Sequence, residues 1–250
     1  MRNDKNNIEN EKSVLKNDKS ILKKDQKLEK GLLKQALTKV VMSIMLLSAL
    51  IFISAGTLRF WNGWLFIGTF AIALLSFGAY LYTHNQALLQ KRLMNKEKEK
   101  AQGTYNLLSS LGLLGVFVLS GLDQRLEWSE ISWAVVWVAL AMVLGGYALS
   151  VIAMVQNEFA SRIIEVQEEQ RVIDTGIYSV IRHPMYISSL IMFTATPVVL
   201  GSYYGMIPMV LYLVGIILRI RNEEDVLRKG LPGYEEYTRK VKYRLVPFVW

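Results

Sequence analysis

Chemistry in this chain concentrates in two short stretches of its last third. The first is Arg182-His183-Pro184-Met185-Tyr186, which follows a polar loop ending Asp174-Thr175-Gly176-Ile177-Tyr178 and stands at the mouth of an apolar run. The second is Arg219-x-x-x-Glu223-Glu224, which closes the apolar run after that. His183 is one of only two histidines, and all five prolines lie at or beyond Pro184. Pro184 has no N–H to lose at a first helical position, and it pushes His183 out of helical geometry. The imidazole is thereby placed at a loop-to-helix junction, beside unpaired N–H groups that favour anions. Arg219 and Glu223 are four residues apart and share a helix face. A helical hairpin between the two stretches returns the chain to its starting side, so these groups can meet at one membrane surface. Taken singly, each reads as readily as an interfacial cap, a surface ion pair or an interface-belt tyrosine. Their convergence makes them two halves of a cofactor site.

Other chemistries lack their residues. No Gly-x-Gly pattern, P-loop or Gly-x-Ser-x-Gly elbow occurs, which removes the usual soluble dinucleotide and phosphate cradles. With no cysteine there are no disulfides, thiolate ligands or cysteine nucleophiles, and with two histidines a catalytic zinc site is not expected. His84 stands alone on a polar stretch and reads as structural. A net charge of +8 is what nucleic-acid binders carry, but in a membrane protein an excess of Lys and Arg first reflects the positive-inside rule. No nucleic-acid partner is expected.

The elements that must position the two stretches are membrane helices. Half of the chain is hydrophobic, 52%, and several apolar runs approach the roughly 18 to 20 residues that cross a bilayer. The first thirty residues are charged and show no cleavable signal. Spans are expected at about 37–58, 64–82, 107–122, 131–155, 185–200 and 203–220. The last two form the hairpin, with Pro197 and Pro208 placed to kink it. The third carries Gly112 and Gly115, which permit close helix packing. Residues 156–183 form a polar connection, whose first part, with Phe159, Ile163 and Val166, reads as an amphipathic helix continuing the fourth span. Gly176 marks a turn. Residues 1–36 hold ten Lys/Arg against six Asp/Glu and a small repeat, Ser13–Asp18 and Ser20–Asp25, offset by seven. That segment is a polar tail, a basic amphipathic helix on anionic lipid, or a short coiled coil. Lys and Arg crowd the amino-terminal segment, the loop around residues 91–100 and the tail, while the loops at Arg59 and 123–130 hold one each. Both termini and the polar connection therefore belong on the cytoplasmic side. Three regions follow: 1–36, a basic segment; 37–155, four membrane helices; and 156–250, the chemistry-bearing part.

From Asn157 onward the chain resembles the isoprenylcysteine carboxyl methyltransferase family, which is related to the integral-membrane phospholipid methyltransferases. The matching residues are Thr175-Gly176-x-Tyr178, Arg182-His183-Pro184-x-Tyr186, Arg219-x-x-x-Glu223-Glu224-x-x-Leu227, Gly233-Tyr234-x-x-Tyr237 and Arg244-Leu245-x-Pro247. The resemblance covers somewhat over a third of the chain. It implies an all-α polytopic membrane enzyme of about six spans, with a cytoplasmic pocket for S-adenosylmethionine between the loop and the tail. His183, Met185 and Tyr186 would line that pocket, Pro184 would shape it, and Tyr178 would stand beside it. Gln170, Arg171, Val172 and Ile173 would form a wall, Glu223 would meet the cofactor, and Arg219 would face the methyl acceptor. Where many relatives carry a Gly-His pair this chain has Gln170-Arg171, and Ser188 stands where a glycine often follows the tyrosine.

The expected function is methyl transfer from S-adenosylmethionine to a lipophilic acceptor, a carboxylate by the resemblance, drawn from membrane lipid. The same residues admit amine methylation of a phospholipid, with Glu224 as the base, a nicotinamide-dependent reductase, and a non-catalytic scaffold that recruits partners through its basic segment.

Overall fold

The chain turns sharply where its apolar runs end. In the computed structural model, which describes residues 31–93, 100–159 and 164–250, every regular element among the described residues is helical. Among the described residues, five helices are long and apolar enough to cross a membrane: α1 (Gly31–Ala55), α2 (Trp61–His84), the Gly103–Leu126 part of α4 (Lys100–Leu126), α5 (Trp133–Gln156) and the segment Tyr204–Gly230 that contains α7 (Met209–Gly230). A shorter apolar helix, α6 (Pro184–Val199), precedes α7. Two small α-helices, α3 (Gln86–Leu93) and α8 (Tyr234–Lys240), and two 3-10 turns, Gly176–Ser179 and Tyr204–Met206, also lie among the described residues. The protein is an all-α, multi-pass membrane protein. The chain falls into two units, Met1–Met42 and Ser43–Trp250. Of the first, residues 31–42 are described; they begin α1 and expose Leu33, Leu37, Val41 and Met42.

The helices differ from the expected spans for local reasons. α1 stops at Gly56, whose φ of 66° ends the helix without a Cβ penalty. α4 continues past residue 122 because Asp123 is not a loop residue. Its buried carboxylate accepts from the Ser129 N–H and hydroxyl, at 2.7 and 2.8 Å, and from Ser202, tying two loops to the helix end. Asn85 both ends α2 and starts α3, its side chain accepting the Leu88 N–H at 2.9 Å; part of the connection between the expected spans 64–82 and 107–122 is therefore helix. The expected amphipathic continuation of α5 is absent from the described residues. Asn157 leaves helical geometry and its side chain accepts the Phe159 N–H, a local turn that competes with helix. Residues 164–175 follow without helix, Val166 among them, while Ile163 lies outside the described residues, as do the amino-terminal repeat and residues 94–99. Pro197 lies inside α6, but Pro208 caps α7 and starts that helix where a kink was expected.

Two helix pairs hold the site in place, α5 along α6 and α4 along α7. Both are built on glycine. A Cβ on Gly146 of α5 would lie 2.6 Å from Met192 and 2.9 Å from the Ser188 carbonyl of α6. A Cβ on Gly112 of α4 would lie 2.7 Å from the Tyr212 nitrogen of α7. Close backbone approach of this kind lets dispersion act where lipid supplies no hydrophobic drive. The far end of α7 runs ten residues beyond Ile220 as a charged helix and carries Glu223, Glu224 and Arg228.

Candidate active site

The loop before α6 is fixed by the carboxyl tail. The Arg182 N–H donates to the Tyr243 carbonyl and the His183 N–H to the Arg244 carbonyl, both at 2.9 Å. His183 is the N-cap residue of α6, in non-helical geometry, and Pro184 is its first residue. Gly176 makes the preceding turn with φ of 59°, and a Cβ there would fall 2.3 Å from the Gln156 side-chain oxygen, which accepts the Ile177 N–H.

Glu224 is the knot of this assembly. One oxygen accepts from the Arg182 guanidinium at 2.8 Å and faces His183 Nε2 at 3.3 Å. The other accepts from Arg228 at 3.1 Å and Arg244 at 3.0 Å. Arg182 also donates to the carbonyls of Val241 and Lys242, at 2.6 and 2.9 Å. A single buried carboxylate thus joins the loop, α7 and the tail. It does not line the adjoining cavity. With three guanidinium groups on it, Glu224 is an ion-pair hub, which does not fit the role of a free base.

Beside this knot opens a cavity with about 860 Å³ of empty space, its mouth included. Gln170, Arg171, Val172 and Ile173 form one side, and Tyr178, His183, Pro184, Met185 and Tyr186 another. Arg219 and Glu223 line it from α7. The structure therefore brings together every residue singled out in the sequence except Glu224. His84 lies elsewhere, at the end of α2, stacked on Tyr80.

Polar order inside the cavity centres on Tyr186. Its hydroxyl donates to Glu223 and accepts from Arg219 Nε at 2.9 Å, so one phenol links the anion to the cation. The Arg219 guanidinium also lies 5.9 Å from the Tyr186 ring centre. A second guanidinium nitrogen, Nη1, donates to Asn106 of α4 at 2.6 Å. The tyrosines of loop and tail stand on the remaining side. Burial pushes the Tyr178 hydroxyl up to about 12; that hydroxyl donates to the Ala153 carbonyl at 3.2 Å. Burial likewise raises Tyr237, which donates to the Tyr178 carbonyl at 2.7 Å. Tyr234 is also raised by burial, and its hydroxyl is buried with no hydrogen-bond partner. Asn106, Asn157 and Tyr234 were not singled out as site residues. Tyr234 lay within a quoted motif, whereas no quoted motif contains Asn106.

A model of the phospholipid methyltransferase family matches residues 134–232. Two proteins described as probable protein-S-isoprenylcysteine O-methyltransferases, from the indica and japonica subspecies of Oryza sativa, are each 30% identical over 187 residues. Those matches cover 72% of this chain and 95% of each relative, too much to be confined to the part after Asn157. A Delta(14)-sterol reductase of Mus musculus is 31% identical over 80 residues, 30% of this chain and 19% of its own length.

Proposed function

The chain belongs to the protein-S-isoprenylcysteine O-methyltransferase family and is a membrane methyltransferase; on that footing we propose that it takes its methyl group from S-adenosylmethionine, held in the cavity beside His183, and delivers it to the carboxylate of a lipid-modified acceptor. The observation that carries the reading is the chain Glu223–Tyr186–Arg219, an anion and a cation on one wall joined through one phenol. The two ends suit two ligands of opposite charge.

The cavity's residues fit the donor. Its amine and sulfonium find an anion in Glu223, and its carboxylate is served by His183. The orphaned Tyr234 hydroxyl gains a polar partner when a ligand fills the cavity. When bound, this cofactor supplies an electrophilic methyl carbon on positively charged sulfur. Arg219 holds the acceptor carboxylate by charge-assisted hydrogen bonds, aligned on that carbon. Glu223 and His183 would hold the donor and Arg219 the acceptor carboxylate, and the bound donor would supply the methyl group with neutral sulfur as its leaving group. No proton moves, since a carboxylate is already a nucleophile at neutral pH. The protein's work is alignment and exclusion of water.

Amine methylation of a phospholipid needs a base to take the ammonium proton. Glu224, the sequence's candidate, is saturated by Arg182, Arg228 and Arg244 and stands outside the cavity. This favours the carboxylate acceptor. Loop charge supports a cytoplasmic side for the cavity and both termini, and lipid-exposed helices would admit a prenyl chain from the bilayer. Calorimetry with purified protein tests the cofactor: S-adenosylmethionine binds, and a nicotinamide dinucleotide does not. The reverse result overturns the reading.

A further inference from the structure

Two of the hydrogen bonds that hold Arg219 reach different parts of the chain, and only one of them stays within its last third. Its Nε donates to Tyr186, and its Nη1 donates to the side-chain oxygen of Asn106 at 2.6 Å. A guanidinium is a rigid plane. Hydrogen bonds on different nitrogens of that plane restrict both its position and its rotation. Asn106 lies on α4, outside the residues matched by the phospholipid methyltransferase model and outside every motif quoted above.

The placement of Asn106 is built into the helix seam. Gly215 lies one turn before Arg219 on the same face of α7. A Cβ there would fall 2.3 Å from the Ser109 hydroxyl and 3.0 Å from the Tyr105 carbonyl of α4. Asn106 adjoins Tyr105 and lies three residues before Ser109 on the same helix. The backbone contact that sets the register of α4 on α7 thus delivers Asn106 to Arg219.

We infer that Asn106 is a positioning residue for the methyl transfer: it fixes the plane of Arg219 in the orientation that receives the acceptor carboxylate. The inference rests on the acceptor-facing role proposed for Arg219. It makes α4 part of the active site and assigns the membrane helices before residue 134 a place in the reaction.

The test uses full-length protein in detergent or nanodiscs, S-adenosylmethionine, and an S-farnesyl N-acetylcysteine as acceptor. Asn106→Ala is expected to lower kcat about tenfold or more and to raise the acceptor KM, with cofactor affinity unchanged within about twofold. Asn106→Asp keeps an accepting oxygen in the same place and is expected to restore most of the turnover. Thr104→Ala, an exposed neighbour on α4, is expected to behave as the parent protein. Wild-type turnover for Asn106→Ala, parallel loss of cofactor binding and activity, or no rescue by Asn106→Asp each overturns the inference. A cycle of melting temperatures for Asn106→Ala, Arg219→Ala and the double variant needs no acceptor. Additive shifts show that the pair is uncoupled and overturn the inference without touching the proposed function. Coupled shifts in a wild-type protein that methylates no carboxylate reject the acceptor reading, and the positioning role in transfer falls with it.

Discussion

Arg182 and Glu224 are forty-two positions apart and meet in the protein interior at 2.8 Å, each almost fully buried. The pair anchors the loop that carries His183 to the helix that carries Glu223. Buried ion pairs owe their value to completeness, since removing one partner strands the other charge away from water. Glu224→Ala leaves Arg182 without its counter-ion and is expected to destabilise the protein by about 3–5 kcal/mol. Thermal unfolding in detergent measures it; a melting temperature equal to that of the parent contradicts the hub.

The two neighbouring glutamates are expected to part company. Glu223→Gln keeps the fold and lowers affinity for S-adenosylmethionine by about tenfold, the scale of a lost charge-assisted bond. The melting temperature separates this from Glu224→Ala, which loses stability first. Arg219→Ala is expected to reduce turnover far more than cofactor affinity. Equal losses of both contradict its acceptor-facing role.

Tyr234 carries a buried hydroxyl with no partner. Its removal in Tyr234→Phe is expected to leave the stability of the ligand-free protein unchanged or slightly raised. Cofactor affinity falls about fivefold, the scale of one neutral hydrogen bond of about 1 kcal/mol. Calorimetry checks both halves, and unaltered affinity removes Tyr234 from the cofactor's contacts.

Dependence on pH separates the acceptor classes. An α-carboxyl ionises at about 3.5, so turnover on such an acceptor is expected to be flat from about pH 6 to 9. An amine acceptor gives a rate that rises with pH across that window. Tyr178 does not interfere: burial lifts it to about 12, so it stays a neutral hydroxyl there. Its folded-state value lies above its ordinary value of 10.0, so the stability it contributes is present below about pH 10 and lost as pH rises towards 12. A turnover profile climbing from pH 6 to 9 contradicts the carboxylate.

Much of this site was legible in the sequence, because the residues that line it are polar groups on an apolar background. His183, Arg219 and Glu223 stood out by type, and hairpin geometry with loop charge was enough to bring them together. The surroundings of Glu224 were not legible, because sequence spacing shows that a carboxylate is near, not who surrounds it; its partners Arg182, Arg228 and Arg244 converge only in three dimensions. Asn157 ended α5 through a local side-chain turn, and Asp123 extended α4 by binding back from its end. Asn106 was invisible for a different reason. Its meaning lies in the close approach of α4 to α7 at Gly112 and Gly215, and a glycine's partner cannot be read from its own helix.

That seam makes a prediction of its own. Gly215→Ala places a methyl group where Ser109 and the Tyr105 backbone already stand. The backbone cannot give way cheaply, so a loss of about 1–3 kcal/mol is expected, with a fall in turnover as Asn106 is displaced from Arg219. Gly145→Ala, one of the glycines with open space at its Cβ, is expected to change neither. Equal behaviour of the two variants contradicts the seam.

The account stands most directly on the fate of the methyl group. Purified protein is incubated with methyl-labelled S-adenosylmethionine and an S-farnesyl N-acetylcysteine, and the labelled product is treated with base. A carboxylate acceptor gives a methyl ester, whose label is released as methanol, and Arg219→Ala abolishes the signal. No transfer at all, or label that survives base as an N-methyl group on lipid, contradicts the account.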